Sequence, residues 1–413
     1  MQILKPTKLL SSFLFLLLFI SACSTQGTPT PNPNFIFPTN IIVPTQPACT
    51  TLYAEPTPGS DTPSIFPPIT SADHTRGPAD AAVTILDYSD YQDPRSGELA
   101  KATKQLFEEN PNDIRLVTRP FPVFVVNDKA TYAALAAEAA AEQGKFWEMN
   151  DLLFAQQADW VNLSVDDFKQ WIMTQVRAMG MDAEKFISDY AREDIIAKVQ
   201  KAWDDGQKIS LPGTPILVIN SDLYQGPRDY TSLNDIAHLI ILGKRQYKTC
   251  PAFTIKTNAQ YIATLHTEKG DVTIELFADK APVTVNSFIF LAQNGWYDNN
   301  TFHRVIPTLF AQTGDPSGTG RGNPGYYLIT EILPTLTFNS PGMVAMVNSG
   351  PDSSGGQFFI TYAPAAQFDG KYTIFGQVLT GMDVLKSLTP RDPQPGTNPP
   401  PGDKLLSVTI VEK

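Results

Sequence analysis

Apolar and polar positions divide this chain into two textures. Residues 83–88 (Val-Thr-Ile-Leu-Asp-Tyr) are nearly continuously apolar, as in a buried strand, and 94–110 follow with helical spacing and Pro94 in the first turn. A second strand is expected over 114–118. From 129 to about 209 the spacing is helical, with an Ala-rich stretch at 129–143 and an amphipathic one at 146–156. Gly213-Thr214-Pro215 then introduces a strand over 216–219. Strand, helix, strand, helical insertion and strand together predict an α/β layer. From 261 the texture changes to short strands with many glycines and aromatics, at 261–266, 272–277, 343–347, 358–361, 373–378 and 406–411. Helical stretches at 283–294 and 381–388 interrupt them. Short strands at this spacing predict a closed β barrel or sandwich. The junction is placed between 246 and 258.

Length changes the picture little: 413 residues imply two or three domains, and two folded ones fit the textures. The N-terminus changes it more. Lys5 and Lys8 precede an apolar run over 9–20 that ends in Ser21-Ala22-Cys23, the layout of an export signal too short to span a bilayer comfortably. Ile20-Ser21-Ala22-Cys23 resembles the bacterial lipobox. That resemblance implies cleavage of 1–22, acylation of Cys23, and an extracytoplasmic protein held to a bacterial membrane by its lipid. Residues 23–73, rich in Pro, Thr, Ser and Asn, then read as an extended tether. Domains are expected over 74–250 and 258–413. The net charge of -11, with no basic run, argues against nucleic-acid partners. Cysteines are three: Cys23, Cys49 and Cys250. With Cys23 lipidated, Cys49 and Cys250 remain as a pair, either bridged or as two free thiols.

In the first domain, Asp87-Tyr88-Ser89-Asp90-Tyr91-Gln92, Arg119-Pro120-Phe121-Pro122, Lys145-Phe146-Trp147-Glu148 and Gly213-Thr214-Pro215 stand in the order found in DsbA-type thioredoxin-like oxidoreductases. The segment from about 74 to 246 resembles that family. In it a Cys-Pro-x-Cys pair opens the first helix, whose dipole favours the thiolate. Here the corresponding residues are Asp93-Pro94-Arg95-Ser96, which excludes thiol exchange by this domain. Pro215 matches the family's cis-proline, implying either a peptide-binding remnant or a retained element of scaffold. The acidic trio Asp87, Asp90 and Asp93 lacks the ligand spacing and central glycine of a calcium loop, so no metal is expected.

In the second domain the motifs are longer: Phe302-His303-Arg304-Val305-Ile306-Pro307, Gln312-Thr313-Gly314-Asp315, Met346-Val347-Asn348-Ser349-Gly350-Pro351, Gly356-Gln357-Phe358-Phe359-Ile360 and Phe368-Asp369-Gly370-Lys371-Tyr372. They resemble the cyclophilin-type peptidyl-prolyl cis/trans isomerases across 261–413. The resemblance implies an eight-stranded closed antiparallel barrel capped by two helices, and proline-containing extended polypeptides as partners. No cofactor is implied, because the obstacle to X-Pro rotation is amide resonance, a barrier of about 18–20 kcal/mol. It places Arg304 at the prolyl nitrogen, with Gln312 and the Asn348 backbone on the flanking carbonyls. Leu309, Phe310, Phe359 and Phe368 would form the proline slot, with Val347, Gln357 and Tyr372 beside it. Phe358 and Phe359 alternate, so one of them is core. His303 is expected to be structural. Leu309 and Phe310 stand where Phe and Met are usual, Tyr372 where His is common, and Gln367 where eukaryotic members carry Trp. These departures imply retained activity with an altered preference before proline, and weak inhibition by cyclosporin. A non-catalytic peptide-binding module is the competing expectation.

Overall fold

The computed structural model describes residues 48–52, 64–394 and 399–413. The leader, Cys23 and most of the tether lie outside them. The first element is a short strand, β1 (Cys49–Thr51). Next come β2 (His74–Arg76), β3 (Val83–Ser89), β4 (Ile114–Pro120), β5 (Ile216–Ile219) and β6 (Asp222–Leu223), which form a five-stranded sheet in the order β2-β4-β3-β5-β6. Alternate residues of β3 face opposite ways. Val83 and Ile85 pack with Leu99, Leu106 and Leu233, while Leu86 and Tyr88 pack with Phe66 and Phe121. Both faces are covered, which is why the strand reads as a nearly continuous apolar run.

Helix α1 (Pro94–Glu109) starts where the Asp93 side chain accepts from the Arg95 N–H, with Pro94 in the first turn. Helices α2 (Ala130–Ala141), α3 (Phe146–Ala155), α4 (Gln157–Trp160), α5 (Val165–Ala178), α6 (Ala183–Tyr190) and α7 (Glu193–Lys208) make the insertion between β4 and β5. It has its own core, where the small faces of Ala133, Ala136 and Ala140 admit Met149, Trp160 and Phe168. Helix α8 (Tyr230–Leu242) completes the layer, capped by Asp229 on the Ser232 N–H.

The second sheet uses β7 (Tyr261–Thr267), β8 (Gly270–Leu276), β9 (Asn300–Thr301), β10 (Arg304–Ile306) and β11 (Phe310–Thr313). After β12 (Tyr326–Leu328) come β13 (Met343–Met346), β14 (Phe358–Thr361), β15 (Ile374–Thr380) and β16 (Lys404–Glu412). All but β12 join in a nine-stranded antiparallel sheet, ordered β10-β11-β14-β13-β15-β8-β7-β16-β9. Helix α9 (Pro282–Gln293) lays Val285, Phe288 and Leu291 on its concave side against Leu265, Ile274, Phe358 and Phe375, and α10 (Met382–Lys386) adds Leu385.

This sheet corrects the expected closed eight-stranded barrel: it curls into a half-barrel and stays open. The terminal strands β9 and β10 are two and three residues long and do not pair with each other. Between them the Phe302 N–H goes to Asp403 O, and Val305 exchanges both backbone bonds with Arg391. The groups that would close the barrel are therefore already used.

Residues on either side of the first layer belong to the second core. Leu242 is part of it, and Cys49, Tyr247 and Cys250 pack against it. β1 pairs antiparallel with β12, and Cys49 is joined to Cys250 in a disulfide. Part of the segment expected as tether is thus a sheet element. From α8, Asp235 pairs with Arg321 at 3.0 Å and the His238 ring Nδ1 lies 3.2 Å from Ser317 O.

Candidate active site

Four neighbouring strands set one row of side chains. Arg304 of β10 stands opposite Gln312 of β11, Gln312 opposite Phe359 of β14, and Phe359 opposite Ala345 of β13. The adjacent row, Val305, Ala311, Ile360 and Val344, points the other way into the core. Alternation also separates Phe358, in that core, from Phe359, which faces the row.

Around Phe359 the aromatics form a cluster. Ring centroids lie 5.5 Å away for Phe310, 5.5 Å for Phe368, 5.2 Å for Tyr372 and 5.8 Å for Phe338. Leu309 and Val347 pack against the same cluster, half-buried. Edge and tilted contacts dominate, as ring quadrupoles favour. The Arg304 guanidinium lies 5.4 Å above the Phe310 ring. Gln312 donates through Nε2 to Gln357 Oε1 at 3.0 Å, and Gln357 in turn donates to the carbonyls of Gly320 (3.0 Å) and Gly322 (2.9 Å). Those carbonyls belong to a loop gathered around buried Asp315, which accepts from the Ser317 N–H at 2.8 Å and the Gly322 N–H at 2.9 Å. Asn348 uses its side chain locally, donating to Lys371 O at 2.9 Å and accepting from the Gly350 N–H, so a contact to a bound chain falls to its backbone. Gly314 has φ +95°, and a Cβ there would sit 2.4 Å from Gly356 O. Glycine is required where β11 leaves the row.

His303, one residue before Arg304, is buried on the other side. Burial pushes its pKa down to about 4, and neither ring nitrogen has a hydrogen-bond partner among the described residues. It is neutral at neutral pH, in keeping with a packing role.

A family model described as "Cyclophilin type peptidyl-prolyl cis-trans isomerase/CLD" matches residues 262–410. Peptidyl-prolyl cis-trans isomerase-like 1 of Aspergillus niger is 45% identical over 150 residues, covering 36% of this chain and 93% of that protein. Peptidyl-prolyl cis-trans isomerase-like 3 of Rhizopus delemar is 45% identical over 157 residues, covering 36% and 92%. A solved cyclophilin of Cryptosporidium parvum is 31% identical and covers 37% of this chain and 98% of its own, with a TM-score of 0.34. The chain belongs to the cyclophilin-type peptidyl-prolyl cis-trans isomerases.

In this cyclophilin a second family model, described as "Thioredoxin", matches residues 70–237, so a thioredoxin-like domain precedes the isomerase. Its Thr214-Pro215 peptide is cis. Asp93 is enclosed by protein donors: Thr214 Oγ1 at 2.9 Å, Ser96 Oγ at 3.3 Å and the Arg95 N–H at 3.1 Å. Asp90 accepts from Gln92, Val123 and Asn127, and Asp87 from Thr118, so the acidic trio has separate partners. Among the described residues, no group of three or more His, Cys, Asp or Glu side chains is placed to hold a metal ion.

Two residues of the cyclophilin site had no sequence signal. Phe338, 1% exposed and stacked on Phe359, stands alone in an irregular loop with no periodicity to flag it. Asp392 accepts from Arg304 Nε at 2.7 Å and comes from the proline-rich segment before the last strand.

Proposed function

We propose that the row Arg304, Gln312 and Phe359 isomerises X-Pro bonds in extended or unfolded polypeptides, and that it does so outside the cytoplasmic membrane on exported proteins. The row carries the reading: a cation, an amide and an aromatic floor stand side by side on one sheet face. Arg304 donates to the prolyl nitrogen, whose lone pair becomes basic as conjugation breaks. Gln312 and the Asn348 backbone hold the flanking carbonyls, and Leu309, Phe310, Val347, Phe368 and Tyr372 receive the ring. Such a face binds the twisted amide better than the planar one, which is all the reaction needs. Gln357 holds Gln312. The extracytoplasmic setting is supported by the lipobox-like Ile20-Ser21-Ala22-Cys23 and by the Cys49–Cys250 disulfide, which suits an oxidising compartment. A lipid on Cys23 would tie the chain to the membrane surface.

The test is X-Pro exchange measured by NMR on the chain from residue 23 onward, beside Arg304→Ala. Acceleration should fall by about 100-fold in the variant, the scale seen when one transition-state donor is removed. No acceleration by either protein would point to a peptide-binding module. For the anchor, labelled palmitate should enter the wild type expressed in a bacterium and not Cys23→Ala; equal labelling would refute it.

A further inference from the structure

The proline-rich segment before β16 is clipped to the site. Arg391 exchanges backbone bonds with Val305 in both directions, 2.9 Å from its N–H and 2.6 Å to its carbonyl, forming an isolated antiparallel bridge on the free edge of β10. Its guanidinium donates to His303 O at 3.2 Å and to the carbonyls of Pro399 and Pro400. An antiparallel bridge at Val305 and Arg391 puts Arg304 opposite Asp392. Opposite charges in that cross-strand position attract. The row therefore runs one place further than the sheet: Asp392, Arg304, Gln312, Phe359.

We infer that Asp392 is a positioning residue for the isomerase, fixing the Arg304 guanidinium through Nε; this deepens the site reading above and rests on it. A free arginine side chain samples many rotamers, and ordering it in the transition state would slow the reaction. Here two contacts order it beforehand. The Phe310 ring supports its face, and the Asp392 carboxylate takes Nε at 2.7 Å. The two terminal nitrogens, with four N–H donors, take no hydrogen bond among the described residues and are left for the bound chain. Both side chains are partly exposed, Arg304 at 40% and Asp392 at 42%, so the pair is open to salt.

The experiment measures kcat and KM separately, by NMR exchange on the chain from residue 23 onward, for wild type, Asp392→Asn, Asp392→Ala, Asp392→Glu and Arg304→Ala. Asn and Ala should lower kcat about three- to tenfold with KM nearly unchanged, and Glu should restore part of the loss. Raising salt to about 1 M, where the Debye length is about 3 Å, should bring wild-type kcat toward that of Asp392→Asn and leave the Asn variant unmoved. Unchanged kcat in Asn and Ala would overturn the inference. A raised kcat would overturn it too, since the carboxylate would then be competing with substrate for the guanidinium. Full activity in Arg304→Ala would sink the site reading itself, and is distinguishable because Asp392 variants leave Arg304 in place.

Discussion

Asp87→Asn should flatten the pH dependence of stability in the thioredoxin-like domain. The Asp87 carboxyl lies in a small space walled by Ile85, Leu116, Trp147 and Phe154. Thr118 Oγ1 donates to one oxygen at 3.3 Å, and the other oxygen has no hydrogen-bond donor among the described residues. Burial pushes its pKa from 3.8 up to about 7, against the weaker opposing pull of Thr118, Ser89 and Arg76. The sign follows from which state holds the proton. Between those two values the unfolded chain has ionised while the folded one has not, so stability falls as pH rises through that window and then levels off. At 1.36 kcal/mol per pH unit, the loss approaches about 4 kcal/mol above pH 7. Asparagine cannot ionise, so the variant lacks this loss. Urea unfolding followed by tryptophan fluorescence should give nearly equal stabilities at the acid end and a variant more stable by several kcal/mol at the alkaline end. Parallel curves for the two proteins across the range would refute the reasoning.

Gln357→Ala removes two bonds to loop carbonyls and the one that holds Gln312; kcat/KM for an X-Pro substrate should fall about tenfold, and an unchanged value would show that Gln312 is held otherwise. Phe338→Ala empties a fully buried position beside Phe359 and should cost about 3–5 kcal/mol in thermal or urea unfolding. Joint replacement of Cys49 and Cys250 by serine opens a loop spanning 201 positions and should lower stability by about 5 kcal/mol on the chain-entropy model, checked by calorimetry against wild type.

Elements whose side chains answer to strand or helix period were legible in the sequence. The run at 83–88 faces two cores and reads as such; Phe358 and Phe359 alternate and part accordingly. The site was legible where motif and period coincide, as at Arg304 and Gln312, one residue from core neighbours Val305 and Ala311. Closure of the barrel was not, because it turns on which partner Val305 takes, and that partner, Arg391, lies in a stretch of prolines with no strand pattern. Asp392 was hidden for the same reason: its role comes from a pairing 88 positions away, not from its neighbours. The contacts of α8 with the Ser317–Arg321 loop were equally silent, since each side chain involved looks like an ordinary surface polar residue.

The disulfide has a mechanical consequence. It binds Cys49 to Cys250, so residues between them form a covalent loop that both leaves and returns at the isomerase half. β1, hydrogen-bonded to β12, grips the same place. Tension applied at residue 48 would pass through the Cys49 sulfur to Cys250 and on into the half-barrel without crossing the five-stranded sheet. If the chain is pulled between a surface at its N-terminus and a client held at Arg304, the thioredoxin-like domain carries no load. It is shielded from stretching by a short circuit in the covalent chain, and reduction of one bond would put it in series with the force.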